Sequence, residues 1–519
     1  MILNPAKIAS GTILETDVCV VGAGPAGLAL FSDLDKAGVE LCLLESGDLT
    51  AKEAPDDYFE LGGPTAELPA TSLHVRGFGG TTHLWTGVCA FPDRIDFEQR
   101  DFDEPSGWPL AYDDLLPFCD RAMAFFGLVP DELRVDSAAY AEDDPSAQIV
   151  YRSVGITRAL RTGGSYLAEA RRSPSSRIFL GATAYNLDLT ADGRFVEMVH
   201  VRGADGRTFF IKARKVVLAT GGIEAPRLLL ASARAGKADL DSNGNLGRYF
   251  MERCRTPVGY VVNTAAQPMT DRLLKWRPIS GGRAYSVASL SPHIMRQRRL
   301  RGFWVRAHDI LPGEGAASVS AHKRLWAALK SGERPIDVPA RLKELAADPL
   351  SVLRYYGMKA GKQLRAAQVP GTRTLLFATT EPAPRAENRI VLSDRTNRFG
   401  DPLARILFRP APDHLAPATV FAEALAASGL AQVIPVEDSS LLPEDLTHKD
   451  MVAHAMGATR MAVDPKNGVV DRDCRVHGIA NLWIASSSVF PVAGSANPTV
   501  TIVALALLVA DRLLGRSTG

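Results

Sequence analysis

The sequence predicts an α/β fold, a Rossmann-like nucleotide-binding domain joined to a second α+β domain, because three segments far apart in the 519 residues each read as strand, turn or loop, and helix. In the first, Asp17 to Val21 (DVCVV) is a short apolar, β-branched run that enters GAGPAG. LALFSDLDKAG then carries apolar residues at helical spacing, and Glu40 to Leu44 (ELCLL) is a second strand. Glu45 ends that strand 18 residues after Gly27, where a dinucleotide fold places an acid for ribose hydroxyls. The second segment, Phe209 to Ser232, repeats strand, glycine turn and amphipathic helix after an alternating stretch whose Asp205-Gly206 pair signals a hairpin. The third, Val469 to Leu514, has a strand-like LWIAS at Leu482 to Ser486 and a helix opened by Asn497-Pro498, with Asn suited to the N-cap and Pro to the first helical position.

Composition agrees with a folded chain and narrows its partners. The 46% hydrophobic and 23% charged residues are ordinary for a globular protein, and the length suits about three domains or two large ones. With 59 basic and 58 acidic residues, no global field draws nucleic acid or an anionic membrane. Six cysteines stand singly, without the spacing of a zinc site or disulfide framework, so neither a metal site nor an oxidising compartment is expected. The first residues, MILNPAKIASGTILE, lack an export pattern. The apolar run Val500 to Ala510 is well short of the roughly 20 residues that span a bilayer. It reads as a buried helix, and a cytoplasmic location is expected.

The middle of the chain differs in kind. His293 to His308 (HIMRQRRLRGFWVRAH) alternates arginine with apolar residues, which reads as a strand with a solvated face or, more specifically, as a place to bind an anionic substrate. Helices are predicted from Ala321 and from Val338. Their apolar stripe reads as packing against the rest of the domain, with a membrane-surface or partner-helix role as the alternative.

GAGPAG by itself serves NAD, NADP and FAD enzymes alike. Gly22 makes the tight turn, Gly24 lets backbone amides approach a pyrophosphate at a helix N-terminus, and Gly27 allows close helix packing. Its place between two strands, with Glu45 following, predicts a bound dinucleotide.

Further motifs extend this reading. RGFGGTTHLWTG (Arg76 to Gly87), ATGGIEAPRLLLAS from Ala219, HAMGATRM, and CRVHGIANLWIASSSVFPVAGSANPTVTIVALA occur in that order. With GAGPAG and Glu45, the combination resembles the FAD-dependent glucose-methanol-choline (GMC) oxidoreductases, most closely the branch of pyranose oxidase, fructose dehydrogenase and the bacterial glycoside oxidases. The resemblance implies a discontinuous FAD domain from residues 1-250 and 446-519, and a substrate domain from 251-445 carrying an antiparallel sheet covered by helices. It implies oxidation of a CH-OH group of a sugar, glycoside or other hydroxylated ring to a carbonyl, with hydride passing to flavin N5 and electrons then to O2 or another acceptor. The alternatives within the same resemblance are oxidation of a non-sugar secondary-metabolite alcohol and a non-redox flavin lyase. A flavin monooxygenase is disfavoured by the C-terminal motifs, and a non-catalytic flavin-binding protein would be expected to lack them.

The resemblance assigns catalysis to His454 and Asn497, which match the family's H-x-M-G and A/G-x-N-P-T motifs. A neutral imidazole, with an ordinary pKa of about 6.5, suits removal of the hydroxyl proton. Asn497 can hold the same oxygen without changing charge, or serve as a helix cap, or both. The positive end of the helix starting at Pro498 would stabilise negative charge on a reduced flavin. FAD contacts are implied for Gly22, Ala23, Gly24, Pro25, Ala26, Gly27, Glu45, Ser46, Arg76, Gly79, Gly80, Thr81, Thr86, Thr220, Gly221, Ser488, Asn497, Pro498 and Thr499. His477 reads as structural.

Two departures refine the expectation. Leu84 stands directly before Trp85, where pyranose oxidase tethers its flavin through a His; His83 is one residue earlier and on an extended loop would face the other way. A noncovalent FAD is therefore expected. In FATTEPAPRAENRIVLSD, Glu381, Pro384, Asn388 and Arg389 match the family, but Pro382 replaces a Gln common in sugar-oxidising relatives, which weakens a strict monosaccharide reading.

Overall fold

The computed structural model describes residues 1–516 except 51, 54–58, 63–74, 104–105, 135–147, 237–239, 242, 263–266, 332–337, 366–370, 438–441, 444–445 and 448–450. His74 and His448 lie outside the described residues.

The three segments join one sheet. Val18 to Val21 pair in parallel with Leu41 to Leu44 on one side and, through Lys215 to Leu218, with the strand Thr208–Leu218 on the other. Val216 to Leu218 carry Leu482 to Ile484, also in parallel. Strands buried on both faces need apolar side chains throughout, and Val20, Leu43, Val217 and Ile484 are all fully buried. The far half is antiparallel: Val196–Gly203 and Thr208–Leu218 form the expected hairpin, with Gly206 at φ +88. Because the parallel strands all point one way, the loops after Val21, Glu45, Leu218 and Ile484 emerge at one edge, where α/β sheets bind ligands.

The last helix, Thr499–Leu513, packs between the helices Pro25–Lys36 and Tyr112–Phe125. It is apolar nearly all round and buried, as expected of its sequence. Among the described residues no helix is long and apolar enough to cross a membrane.

A second sheet runs in the order Val433–Ile434, Cys254–Val261, Arg373–Thr380, Phe303–Ile310, Gly282–Leu290, Ile149–Thr157, Val88–Cys89, and its neighbours are antiparallel. Two of its strands come from the first 250 residues. A small sheet of Phe59–Gly62, Arg389–Thr396 and Pro402–Leu407 instead packs through Ile390 and Ile406 against Ile223, on the helix Gly221–Ala235. Cuts at 250 and 446 therefore do not follow the sheets, because strand pairing over such separations leaves no local mark in composition.

Two other expectations change. Only the second half of His293 to His308 is strand; Ser291 caps a short helix, Pro292–Gln297, by accepting from the Ile294 N–H, and the strand starts at Phe303. The helices Ala317–Ser331 and Pro349–Arg365 meet around Leu311, Val319 and Tyr355, while Val338–Ala347 lies against Ala317–Ser331 and buries none of its own residues. Trp326, Leu342, Leu350 and Leu353 nonetheless remain more than half exposed, so the apolar stripe is not spent on packing against the domain.

Candidate active site

A cleft of about 490 Å³ follows the loop edge of the first sheet and reaches the face of the second. At its near end Gly22 turns at φ +101, and a Cβ there would lie 2.6 Å from the Ala219 carbonyl oxygen. A Cβ on Gly27 would lie 1.8 Å from the Gly22 carbonyl oxygen, so this glycine serves helix packing. Gly24 is under no such constraint, its nearest neighbour being the Gly80 Cα at 4.0 Å. A glycine that packing does not demand, at the start of the helix Pro25–Lys36 and without a side-chain cap, leaves space and N–H groups for a pyrophosphate. The buried Thr220 hydroxyl on the same wall has no hydrogen-bond partner among the described residues. This donor set fits FAD.

Of the expected cofactor residues, Gly22, Gly24, Pro25, Ala26, Glu45, Ser46, Arg76, Gly80, Thr81, Thr86, Thr220, Gly221, Asn497, Pro498 and Thr499 line the cleft. Ala23, Gly27, Gly79 and Ser488 stand behind it. The Ala23 carbonyl accepts from the Gly79 N–H at 2.8 Å, joining the two glycine loops. Ser488 is fully buried, its hydroxyl 2.6 Å from those of Thr459 and Ser486, so the sequence reading placed it one layer too far forward; Ser486 and Ser487 line the wall instead. Glu45 has a task the sequence did not reveal. Its carboxylate accepts from the N–H groups of Ala23, Gly47 and Gly77 at 2.9, 2.8 and 3.1 Å, tying both glycine loops to the strand end. Burial raises its pKa, and these three N–H groups oppose the rise.

His454 and Asn497 meet at the far end, Nδ2 of Asn497 lying 3.3 Å from Nε2 of His454. The helix begins one residue later than expected: Pro498 is its cap, and no side chain caps it. Its positive end faces the cleft through Pro498 and Thr499. The loop carrying His454 is held by reciprocal hydrogen bonds between Met251 and Met456 at 2.9 and 3.0 Å. Glu252, which sequence reasoning missed, accepts from the His454 N–H at 2.6 Å and the Val452 N–H at 3.3 Å. Ala453, between them, is at φ +67, a left-handed conformation that a non-glycine adopts only when its surroundings impose it. Desolvation, then the nearby guanidiniums of Arg253 and Arg255, hold the His454 imidazole well below its ordinary range. It is therefore neutral at physiological pH, the state a general base requires.

The remaining wall is the second sheet, through Tyr285, Trp304, Arg306, Phe377, Thr379 and Arg255. The period-two spacing of 304 with 306 and of 377 with 379 was the available signal. Pro382 is not on this wall. Its neighbour Glu381 is fully buried behind the sheet, accepting from Arg100 at 3.0 Å and the Gly302 N–H at 2.8 Å, so the Pro382 position carries no information about ring recognition. The segment Gly80–His83 is a 3₁₀ turn rather than extended, so the alternation argument for His83 does not apply; its Nε2 lies 3.1 Å from the Phe78 carbonyl oxygen, away from the cleft wall. His477 pairs with the Ala462 carbonyl at 3.1 Å, a structural contact.

Comparison with known proteins agrees with this geometry. The GMC oxidoreductase family model matches residues 384–506, and an FAD binding domain model matches residues 15–54. The chain is 24% identical to a 2-methyl-1,2-propanediol dehydrogenase of Mycolicibacterium austroafricanum, over 97% of this chain and 96% of that one. It is 23% identical to the fructose dehydrogenase large subunit of Gluconobacter japonicus, over 97% and 99%, and 23% identical to a paromamine 6'-oxidase of Streptomyces fradiae, over 96% and 91%. Among solved structures, pyridoxine 4-oxidase from Mesorbium loti shares the fold with a TM-score of 0.55 at 18% identity, covering 97% of this chain and all of that one. With the glycine turn and the His454–Asn497 pair lining one cleft, and with these likenesses to the GMC oxidoreductase and FAD binding domain models, the chain is an FAD-dependent oxidoreductase acting on CH-OH donors.

Proposed function

We propose that this enzyme oxidises a CH-OH group on a hydroxylated ring, a sugar or glycoside before other alcohols, with His454 taking the hydroxyl proton and Asn497 holding the same oxygen. The observation that carries the reading is the 3.3 Å pairing of these side chains where the cleft from the glycine turn meets the second sheet. Bound FAD supplies the two-electron acceptor, and O2 or another acceptor reoxidises it. His454, kept neutral by its surroundings, accepts a proton, and Asn497 orients the oxygen that loses it. Trp304 and Phe377 give the opposite wall aromatic surface against which a ring can lie.

Fructose dehydrogenase among the relatives supports the sugar reading. The engagement of His83 with its own loop supports a noncovalent FAD. The six cysteines are buried and form no disulfide, which agrees with a reducing, cytoplasmic setting. The test is an anaerobic screen of sugars, glycosides and secondary alcohols for loss of flavin absorbance, followed by readmission of oxygen. Loss of absorbance with at least one hydroxylated ring is expected; no bleaching with any alcohol overturns the reading.

A further inference from the structure

The wall that faces His454 is more positive than oxidation of a neutral alcohol requires. Antiparallel register sets Arg255, Thr379 and Trp304 side by side on three adjacent strands, and Phe377 and Arg306 in the next row of the same face. All five line the cleft. Arg253 joins them at 1% exposure; it donates one hydrogen bond to the Ser495 carbonyl, while its Nε and Nη2 have no hydrogen-bond partner. Arg306 stacks 4.2 Å above the Tyr285 ring and makes no hydrogen bond or ion pair among the described residues.

Among the described residues no carboxylate that lines the cleft pairs with Arg306. The cleft's two acids are elsewhere: Glu45 between the glycine loops, and Glu224 bonded to Arg227 at 2.9 Å. The acids behind the sheet are engaged. Asp93 pairs with Arg152 and accepts from Trp304 and Ser495, Glu381 and Asp96 face Arg100, and Glu252 holds the His454 loop. Glu252, Asp96 and Glu381 lie near Arg253 from behind, but Arg306 has no ion-pair partner among the described residues, and in a ligand cleft the ligand can supply one. Stacking on Tyr285 fixes the plane of Arg306, which suits two-point recognition of a carboxylate or phosphate.

We infer that the substrate is an anionic alcohol, whose hydroxyl lies at His454 and whose carboxylate or phosphate is bound by Arg306 with Arg255 and Arg253. The inference rests on the proposed role of His454, but it can be tested apart from turnover. Wild-type, Arg306→Gln and Arg306→Lys holoenzymes would be titrated anaerobically with two matched pairs, benzoate against benzamide and glucuronate against glucose, reading the shift of the flavin absorption band. Phenyl phosphate forms a third arm that distinguishes phosphate from carboxylate. In the wild type the anion of at least one pair should bind about 10-fold tighter or more than its neutral counterpart, or phenyl phosphate tighter than benzamide by the same factor. Arg306→Gln should remove that preference while changing neutral binding less than about twofold, and Arg306→Lys should keep part of it.

Equal binding of anions and neutrals by the wild type overturns the inference, and so does equal weakening of both by Arg306→Gln, which would make Arg306 a packing residue. The oxidation reading fails separately. If 4-(hydroxymethyl)benzoate, glucuronate and every neutral alcohol leave the flavin oxidised while Arg306-dependent anion binding persists, the anion site stands and the oxidation reading falls.

Discussion

The amide of Asn497 is turned toward Nε2 of His454, 3.3 Å away, and not toward the helix it precedes, whose cap is Pro498. An amide N–H can donate to that nitrogen only when it carries no proton, so the contact favours the neutral imidazole that burial and two arginines already favour. His454→Ala should leave FAD bound, because the N–H groups that fit its pyrophosphate come from other segments, and slow flavin reduction by about 100-fold or more. Stopped-flow reduction checks this, and a near wild-type rate would remove His454 from the base role.

Asn497→Asp should slow reduction for two reasons that act together. The new carboxylate would stabilise a protonated His454, and it would oppose negative charge at the helix N-terminus. As no side chain caps this helix, its stability should hardly change. The defect should be largest at low pH and shrink as pH rises; a deficit that is constant across pH would point to lost oxygen positioning alone.

The pH profile of the wild type follows from the same environment. A base must be unprotonated to act, so activity is present above its pKa and lost as pH falls through it. The sequence alone places that limb in the ordinary histidine range. The structure moves it lower, since desolvation, Arg253 and Arg255 all disfavour the imidazolium. Reduction rate divided by substrate affinity should therefore stay level through the ordinary histidine range and fall only at lower pH. A midpoint at or above 7 would contradict the buried, arginine-flanked site.

The distance between what could be read and what could not follows from sequence separation. The turn at Gly22 to Gly27, Glu45 and the Asp205-Gly206 hairpin rest on neighbouring residues, and each is found where expected. The meeting of His454 with Asn497 came only through resemblance, since 43 residues separate them. The stretch that holds Arg306 reads as a place for an anion, but Arg255 is out of reach, because the face they share exists only through the register with Arg373–Thr380. Glu252 has no motif; its importance lies in where its oxygens point. The same limit explains Pro382, whose local match to a family pattern said nothing about which side of the sheet it would occupy.

Glu252 should show itself through two different substitutions. Glu252→Ala removes the acceptor that holds the His454 and Val452 N–H groups and should lower the reduction rate by about 10-fold or more without changing FAD content. Glu252→Gln keeps an acceptor oxygen and should stay within a fewfold of wild type. Burial pushes this carboxyl up to about 8, so its protonation favours the folded state below the ordinary carboxyl range, and that contribution is lost as pH rises through about 8. Melting temperatures from pH 5 to 9 should thus fall more steeply for the wild type than for Glu252→Gln. Parallel curves would mean that Glu252 does not titrate in this window.

The FAD should leave the protein on acid precipitation and stay in the supernatant. Leu84, not a histidine, precedes Trp85 and lines the cleft, while His83 completes a 3₁₀ turn and places Nε2 against the Phe78 carbonyl of its own loop. To bond the flavin, His83 would have to break that contact and unwind a turn that begins at Gly79, whose φ of +111 is open to glycine but strained for other residues. A Cβ on Gly79 would also lie 2.7 Å from the Gly163 backbone nitrogen, so the turn is wedged from outside as well. A yellow pellet would contradict this arrangement, and His83→Ala would then locate the bond: release of the flavin assigns it to His83, and retention places it on another residue.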